Sequence, residues 1–356
     1  MSTAPKRRVR VLVVDDSVVN RRAITTRLTA SGEVEVVGRA ADGNEALRLA
    51  YDLKPDVITL DLEMPKMDGF SFLRLLMASR PSPVIVVSSY GQKENVFRAL
   101  ELGAVDFVAK PDASLGSDAD DALDGLLQKV LLFREGTRDR VNVRPSHMPP
   151  SDRHRDVPQF EAPRLAPRVL VAIVASTGGP SALSELFAQL SSRGSYAVLI
   201  AQHMPERFTR TFAERLNRKS VLDVREAQDG DVVVSHSAFV CPGRQCMEVE
   251  LAAGGQLRVR VVAPTPEDRY APSGNRLLTS VAKAARTRAI GVVLTGMGDD
   301  GTDGARAIRE AGGIVIAESE ETAVIFGMPG QAARAGVVTR ALPLYQIADF
   351  LDELVR

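Results

Sequence analysis

Val169-Leu-Val-Ala-Ile-Val-Ala-Ser-Thr-Gly-Gly-Pro180 is the stretch on which the fold turns. Val169–Ala175 is a near-continuous apolar run, as a parallel strand buried on both faces requires. Ser176 stands at the carboxyl end of that strand, where open α/β folds place ligands. Gly178-Gly179 make a sharp turn, and a helix opens at Pro180-Ser181. Backbone N–H groups at a helix N-terminus favour negative charge, so a developing oxyanion suits the spot. A plain strand-to-helix turn with Ser176 as its cap would read the same locally. The rest of the chain has to decide.

Downstream, Ala182–Leu190 reads as a helix and Ala197–Ala201 as a short buried strand, followed at once by Gln202-His-Met-Pro205. Phe208–Leu216 is helical. Residues 221–262 are β-rich, with a hairpin turning at Gly254-Gly255. Leu277–Ala285 is a helix. Ile290–Leu294 is a third buried strand, running into Thr295-Gly-Met-Gly-Asp-Asp-Gly301. Ala305–Ala311 (helix), Ile314–Ala317 (strand), the tight loop Phe326-Gly-Met-Pro329 and the helix Tyr345–Leu354 complete the chain. Three strands thus deliver Ser176, His203 and either Asp299 or Asp300. If their ends share an edge, a nucleophile, a base and an orienting acid meet, enough for acyl transfer. The order Ser…His…Asp and the absence of Gly-x-Ser-x-Gly set this apart from α/β-hydrolases. Taken singly, His203 could be a structural hydrogen-bonder, and Thr295–Gly301 a turn or a phosphate cradle. The trio together favours a hydrolase.

Upstream, residues 8–134 hold five βα repeats. The strands read as Val9–Val14, Val34–Ala40, Asp56–Leu60, Val84–Val87 and Phe107–Ala109. The helices between them read as Ser17–Ala30, Ala41–Tyr51, Ser71–Ser79 and Glu94–Leu102, with Leu123–Phe133 closing the domain. This pattern implies a doubly wound parallel sheet. Asp15, Asp16, Asp61, Ser88 and Lys110 all sit just past strand ends and therefore converge on one edge. Clustered carboxylates repel and want a hard cation such as Mg²⁺. Each acid alone could be a loop cap; five placed polar residues are a site. Between the domains, 135–167 carries six prolines among mixed charges. It reads as a semi-stiff tether, with His147 and His154 solvated.

Composition narrows the class. The 356 residues suit two domains, and 45% are apolar. Lys+Arg and Asp+Glu balance at 45 each, which argues against nucleic acid as a partner. Two cysteines, Cys241 and Cys246, build no disulfide framework and fit a reducing compartment. No apolar run approaches a membrane span, and the start lacks a signal-peptide pattern. A cytoplasmic protein without membrane insertion is expected.

At Asp15, Asp16, Asp61, Ser88 and Lys110 the first domain resembles a response-regulator receiver. The resemblance implies that Asp61 takes a phosphoryl group from a histidine kinase of the CheA type. It implies that Asp15, Asp16, Asp61 and the Glu63 carbonyl hold Mg²⁺. Lys110 contacts the phosphoryl group, Ser88 acts as the switch hydroxyl, and Phe107 is the aromatic switch. In the second domain, Ala175-Ser-Thr-Gly-Gly-Pro180, Gln202–Pro205, Thr295–Gly301 and Phe326–Pro329 resemble the signatures of the chemotaxis methylesterase CheB family. The implied fold is α/β: two doubly wound parallel-sheet domains, a flavodoxin-like receiver over 8–134 and a methylesterase domain over 168–356 with an added β-hairpin region. The implied activity is hydrolysis of glutamyl methyl esters on the cytoplasmic domain of chemoreceptors, with deamidation of receptor glutamines. Matched residue by residue, the nucleophile is Ser176, the base His203 and the acid Asp300 rather than Asp299. Met297 N–H is implied as an oxyanion donor, and no cofactor for the esterase step. The receiver is expected to cover the Ser176 edge until Asp61 is phosphorylated.

Two segments depart from the family pattern. Cys241-Pro-Gly-Arg-Gln-Cys-Met247 has Cys246 where a histidine is common, and Cys246 reads as a small buried filler. Tyr270-Ala-Pro-Ser-Gly-Asn-Arg276 has Ala271 and Asn275 where an arginine and an aspartate are usual, which bears on substrate recognition and efficiency. The competing readings are a catalytically idle, phosphorylation-dependent partner-binding module, and a receiver-controlled serine amidase acting on another protein. A transcription factor fits least, since no basic helix-turn-helix stretch is present.

Overall fold

Short apolar runs alternate with amphipathic helices along both halves of the chain, and each half winds them into its own parallel sheet. The computed structural model describes residues 7–110, 118–134, 165–252 and 254–355. The chain divides into two compact units, Met1–His147 and Met148–Arg356. The expected tether, with His147 and His154, lies outside the described residues except for 165–167, as does Pro111.

The first unit runs β1 (Val9–Val14), α1 (Val18–Ala30), β2 (Val34–Ala40), α2 (Gly43–Leu53), β3 (Val57–Leu60). It continues α3 (Gly69–Ser79), β4 (Val84–Ser88), α4 (Lys93–Glu101), β5 (Asp106–Ala109), α5 (Asp118–Leu131). Its sheet has the order β2-β1-β3-β4-β5, and every pairing is parallel. Strands β3, β4 and β5 are buried throughout, which is why they read as unbroken apolar runs. Helix starts follow local chemistry. Asp42 accepts from the Asn44 and Glu45 N–H groups, while the Glu45 carboxylate accepts from Ala41 N–H. The pair resembles a capping box, with Glu45 reaching the N–H one residue before the N-cap.

The second unit runs β6 (Val169–Ala175), α6 (Gly179–Gln189), β7 (Tyr196–Gln202), α7 (Glu206–Lys219), β8 (Asp223–Glu226), β9 (Ser237–Val240). Then come β10 (Cys246–Leu251), β11 (Leu257–Val262), α8 (Gly274–Ala285), β12 (Ala289–Val293), α9 (Thr302–Glu310), β13 (Ile314–Glu318). The unit ends with α10 (Met328–Arg334), β14 (Arg340–Leu342) and α11 (Leu344–Val355). Seven strands form one parallel sheet in the order β14-β13-β12-β6-β7-β9-β8. Strands β10 and β11 form the separate antiparallel hairpin expected around Gly254-Gly255. Residues 221–262 are β-rich as expected, and within them β8 and β9 extend the main sheet rather than the hairpin. Asp223-Val-Arg-Glu226 is a charged edge strand, the kind that carries little apolar signal and discourages further pairing. Strand β14 went unpredicted because its three residues are largely exposed.

Both sheets reverse direction of winding at one place. From β1 the chain goes to β2 on one side and later returns to β3 on the other. From β6 it goes out to β7, then to the edge strand β8 and back to β9 between them, and later returns to β12 on the other side. The crevices β1/β3 and β6/β12 are therefore topological switch points, where loops separate and open α/β sheets bind ligands. Asp15 and Asp61 flank the first and Ser176 and Asp300 the second, while Ser88, Lys110 and His203 end other strands on the same edges.

Candidate functional site

In the first unit, Asp15 and Asp61 end β1 and β3 and are buried, while Asp16 is exposed. One carboxylate oxygen from each of Asp15, Asp16 and Asp61 falls within a 4.8 Å cluster. Lys110 reaches in from the end of β5, its Nζ 2.6 Å from Asp61 Oδ2 and 2.9 Å from Asp15 Oδ2. The Asp15 oxygen makes that close charge contact yet has no aligned hydrogen-bond donor. Burial pushes the Asp61 carboxyl up, the Lys110 ammonium opposes it, and the net displacement is upward. Burial lowers Lys110, but its two carboxylate partners outweigh it, and the ammonium is held above its ordinary value. Glu63 lies in the loop behind Asp61, its N–H 3.4 Å from Asp61 Oδ1.

Ser88 is fully buried, and its hydroxyl donates to Gln92 Oε1 at 2.8 Å rather than to Asp61. Phe107 is buried edge-on to Phe97, the centroids 6.3 Å apart. The structure thus gathers Asp15, Asp16, Asp61 and Lys110 directly. It leaves Ser88 turned toward a glutamine that the sequence had not singled out.

In the second unit, Ala175 pairs with Gln202 in the β6/β7 register, so Ser176 and His203 are the next residues on neighbouring strands. Neighbouring strands lie about 4.8 Å apart. His203 N–H donates to Ala175 O, and Ser176 N–H to Thr295 O, each at 3.0 Å. The loop after β12 brings in the acid: His203 Nε2 lies 2.8 Å from Asp300 Oδ2. Asp300 is 1% exposed and also accepts from Gly274 N–H at 2.7 Å, Asn275 N–H at 2.9 Å and Gly301 N–H at 3.0 Å. Burial pushes its carboxyl up, but the His203 bond and charge with the α8 N–H groups outweigh it, and the carboxyl is held below its ordinary value. Asp299 instead faces solvent and pairs with Arg269 at 3.3 Å. Of the two aspartates, Asp300 is the one in contact with His203.

Two glycines make the close approach feasible. A Cβ at Gly179 would lie 2.1 Å from Gln202 Oε1, and one at Gly296 would lie 2.7 Å from Ser176 Cβ. Any side chain at either place would drive the loops apart. Met297 follows Gly296 in this turn and is 43% exposed. Among the described residues its N–H makes no backbone hydrogen bond.

Three residues here escaped the sequence reading. Gln202 Nε2 donates to both Ser176 O and His203 O at 3.0 Å, tying the ends of β6 and β7 together. Tyr270 stacks on His203 with centroids 4.9 Å apart and planes 9° from parallel. Glu318, at the end of β13, is fully buried and accepts from Thr295 N–H at 2.8 Å. Thr295 Oγ1 in turn donates to Thr177 O and accepts from Ile325 N–H, each at 2.9 Å. Glu318 therefore fixes a residue that joins three loops. A glutamate ending an apolar strand gave no signal of this, because its partners are backbone groups distant in sequence.

Burial pushes the Glu318 carboxyl up to about 7, against the Thr295 and Thr322 bonds that lower it. The unfolded chain titrates near 4.5, so the native state holds the proton more tightly. Stability of this unit accordingly falls as pH rises from about 4.5 to about 7, and the loss persists above that, on the order of 3 kcal/mol. Glu318→Gln keeps an acceptor for Thr295 and carries no charge. Thermal melts at pH 8 should show the variant unfolding several degrees above wild type, a gap that closes at pH 5. A lower melting point at pH 8 would show that the fold prefers the carboxylate.

Cys241 and Cys246 are free and buried. Burial pushes both thiols up, so they stay protonated and pack as small apolar groups. Arg276 explains part of the divergent segment: it binds Glu248 and Asp268, each at 2.8 Å, and so pins the loop before α8 to β10. Asn275 Oδ1 accepts from Gly304 N–H at 3.0 Å, joining α8 to α9. Among the described residues no helix is long and apolar enough to cross a membrane.

Comparison with known proteins agrees with both units. Residues 171–351 match the family model for the CheB methylesterase, and residues 11–115 match that for the response regulator receiver domain. A Myxococcus xanthus protein named protein-glutamate methylesterase/protein-glutamine glutaminase 1 is 47% identical over 350 residues, covering 98% of this chain and 97% of its own. A Geobacter sulfurreducens protein, numbered 3 under the same name, is also 47% identical, covering 95% of each chain. The crystal structure of the Thermotoga maritima CheB methylesterase catalytic domain is 36% identical with a TM-score of 0.51, covering 52% of this chain and 98% of its own.

Proposed function

The chain belongs to the CheB methylesterase family, and on that premise we propose that it hydrolyses glutamyl methyl esters on chemoreceptors and deamidates receptor glutamines, under control of phosphorylation at Asp61. The observation that carries the reading is the His203–Asp300 bond formed beside Ser176 at neighbouring strand ends. With Nε2 donating to Asp300, His203 presents Nδ1 as the acceptor toward Ser176. Ser176 Oγ attacks the γ-carbonyl as Nδ1 takes its proton. The Met297 N–H meets the tetrahedral oxyanion, a stabilisation of roughly 3–4 kcal/mol per donor. Collapse expels methanol, or ammonia from an amide, with the proton returned by His203. Water activated by the same nitrogen then releases Ser176 and leaves a glutamate. Asp300 stabilises the imidazolium formed at each step. No metal or organic cofactor is needed for this sequence.

Control follows from the first unit. A CheA-type histidine kinase in the cytoplasm supplies the phosphoryl group to Asp61. The acid cluster fits Mg²⁺: Asp15, Asp16 and Asp61 carboxylates converge, and a buried Asp15 oxygen lacks an aligned donor. Those three residues with the Glu63 carbonyl would hold the ion, whose charge offsets that of the phosphoryl oxygens. Lys110 contacts the new group, and Ser88 exchanges Gln92 for a phosphoryl oxygen. Phe107, already buried beside Phe97, repacks, and the esterase activity of the second unit rises.

The test is methanol release from methylated receptor signalling domains by the purified chain, with and without a small-molecule phosphodonor and Mg²⁺. Release that rises about tenfold or more with the donor, and fails to rise in Asp61→Asn, is expected. No release at all, with Asp61 phosphorylation verified, would turn the reading to an idle partner-binding module.

A further inference from the structure

We propose that Tyr270 is a positioning residue for the His203 base, its ring holding the imidazole in the plane from which it serves both Ser176 and Asp300. The inference rests on the acyl-transfer reading above. His203 is otherwise held by one side-chain bond, at Nε2. A single bond leaves the ring free to rock about that contact. Tyr270 removes this freedom, because its ring lies parallel to the imidazole at stacking distance. The same face stabilises the imidazolium formed when His203 takes the serine proton.

Tyr270 is itself held on several sides. Directly before it, Asp268 is bound by Arg276, and Arg269 pairs with Asp299 next to the catalytic acid. The Arg269 guanidinium lies 5.9 Å from the Tyr270 ring centre. Four and five residues after Tyr270, Gly274 and Asn275 give their N–H groups to Asp300. One strap therefore grips both base and acid. The tyrosine hydroxyl rests over Gly298, where an added Cβ would come within 2.5 Å of it. Burial and the Asp299 carboxylate push the phenol up, so it remains neutral. The hydroxyl completes the packing, but the ring is what faces His203.

Tyr270→Phe keeps the ring and Tyr270→Leu removes it. For methanol release, Leu should lower kcat by about ten- to a hundredfold while KM changes by less than about threefold, and Phe should restore kcat to near wild type. In parallel, the ring protons of His203 are followed by NMR in the full chain, assigned with His203→Asn. They should sit upfield in wild type and Phe, and move downfield in Leu. A KM increase with kcat intact would overturn the proposal and make Tyr270 a substrate contact. A Phe variant as slow as Leu would also overturn it, assigning the effect to the hydroxyl. Ser176→Ala, run alongside, separates the two levels: if it kept activity, the acyl-transfer reading would fall, while its NMR spectrum would still report whether the stack holds His203.

Discussion

Ser176→Ala is expected to lower methanol release by about 10⁴-fold or more while leaving the chain folded. The loss is large because in the proposed mechanism Ser176 Oγ forms the acyl bond, and without it the oxyanion donor and base have nothing to act with. The fold is spared because the structural bonds at this position are made by backbone. Ser176 N–H reaches Thr295 O, and Ser176 O accepts from Gln202 Nε2 and Gly179 N–H. Alanine keeps all three. Its melting curve should overlay wild type, and substantial residual release from a well-folded variant would place the nucleophile elsewhere.

Asp300→Asn should cost a comparable factor, about 10⁴ in kcat, for two reasons that measurement can separate. An amide cannot hold the His203 tautomer with Nδ1 free as acceptor, nor stabilise the imidazolium. It also misfits its site, since the carboxylate accepts from His203 and from three backbone N–H groups. An asparagine must turn its NH₂ toward one of those donors, leaving buried polar groups unpaired at about 1–3 kcal/mol. The variant should therefore melt lower as well as react slowly, whereas Asp299→Asn, at an exposed ion pair, should do neither to a comparable degree. The depressed Asp300 carboxyl contributes stability that is fully present above 3.8 and is lost only as pH falls below it. Glu318 has the opposite sign, so acid relieves one buried carboxylate before it harms the other.

Much of this was legible because the strands are buried on both faces. Val169–Ala175 is apolar throughout and became β6 with the expected bounds. The polar residue following each such run stood out against it, and the topology placed those residues on one edge of each sheet. What stayed hidden depended on partners that sequence spacing does not reveal. Tyr270 sits in a loop without periodicity, and its contact with His203 joins segments far apart in sequence. Glu318 and Gln202 end apolar strands as Ser176 does, yet their bonds reach backbone atoms on other strands. The edge strand β14 was missed because its residues are largely exposed, and the charged β8 was read only as part of a β-rich stretch. Ser88 was found by position, while Gln92, its present partner, lies one turn on in a segment with no marked pattern.

The most direct test of a live Ser176–His203–Asp300 centre is covalent labelling of the full chain with an alkyl fluorophosphonate, read by peptide mass spectrometry. The probe's phosphorus takes the serine oxygen and releases fluoride, so it reports an activated hydroxyl without any receptor present. One label per chain on the peptide carrying Ser176, faster with a phosphodonor and Mg²⁺ and lost in His203→Gln, is the predicted result. Labelling at another serine, or none at Ser176 once Asp61 is phosphorylated, would contradict the account.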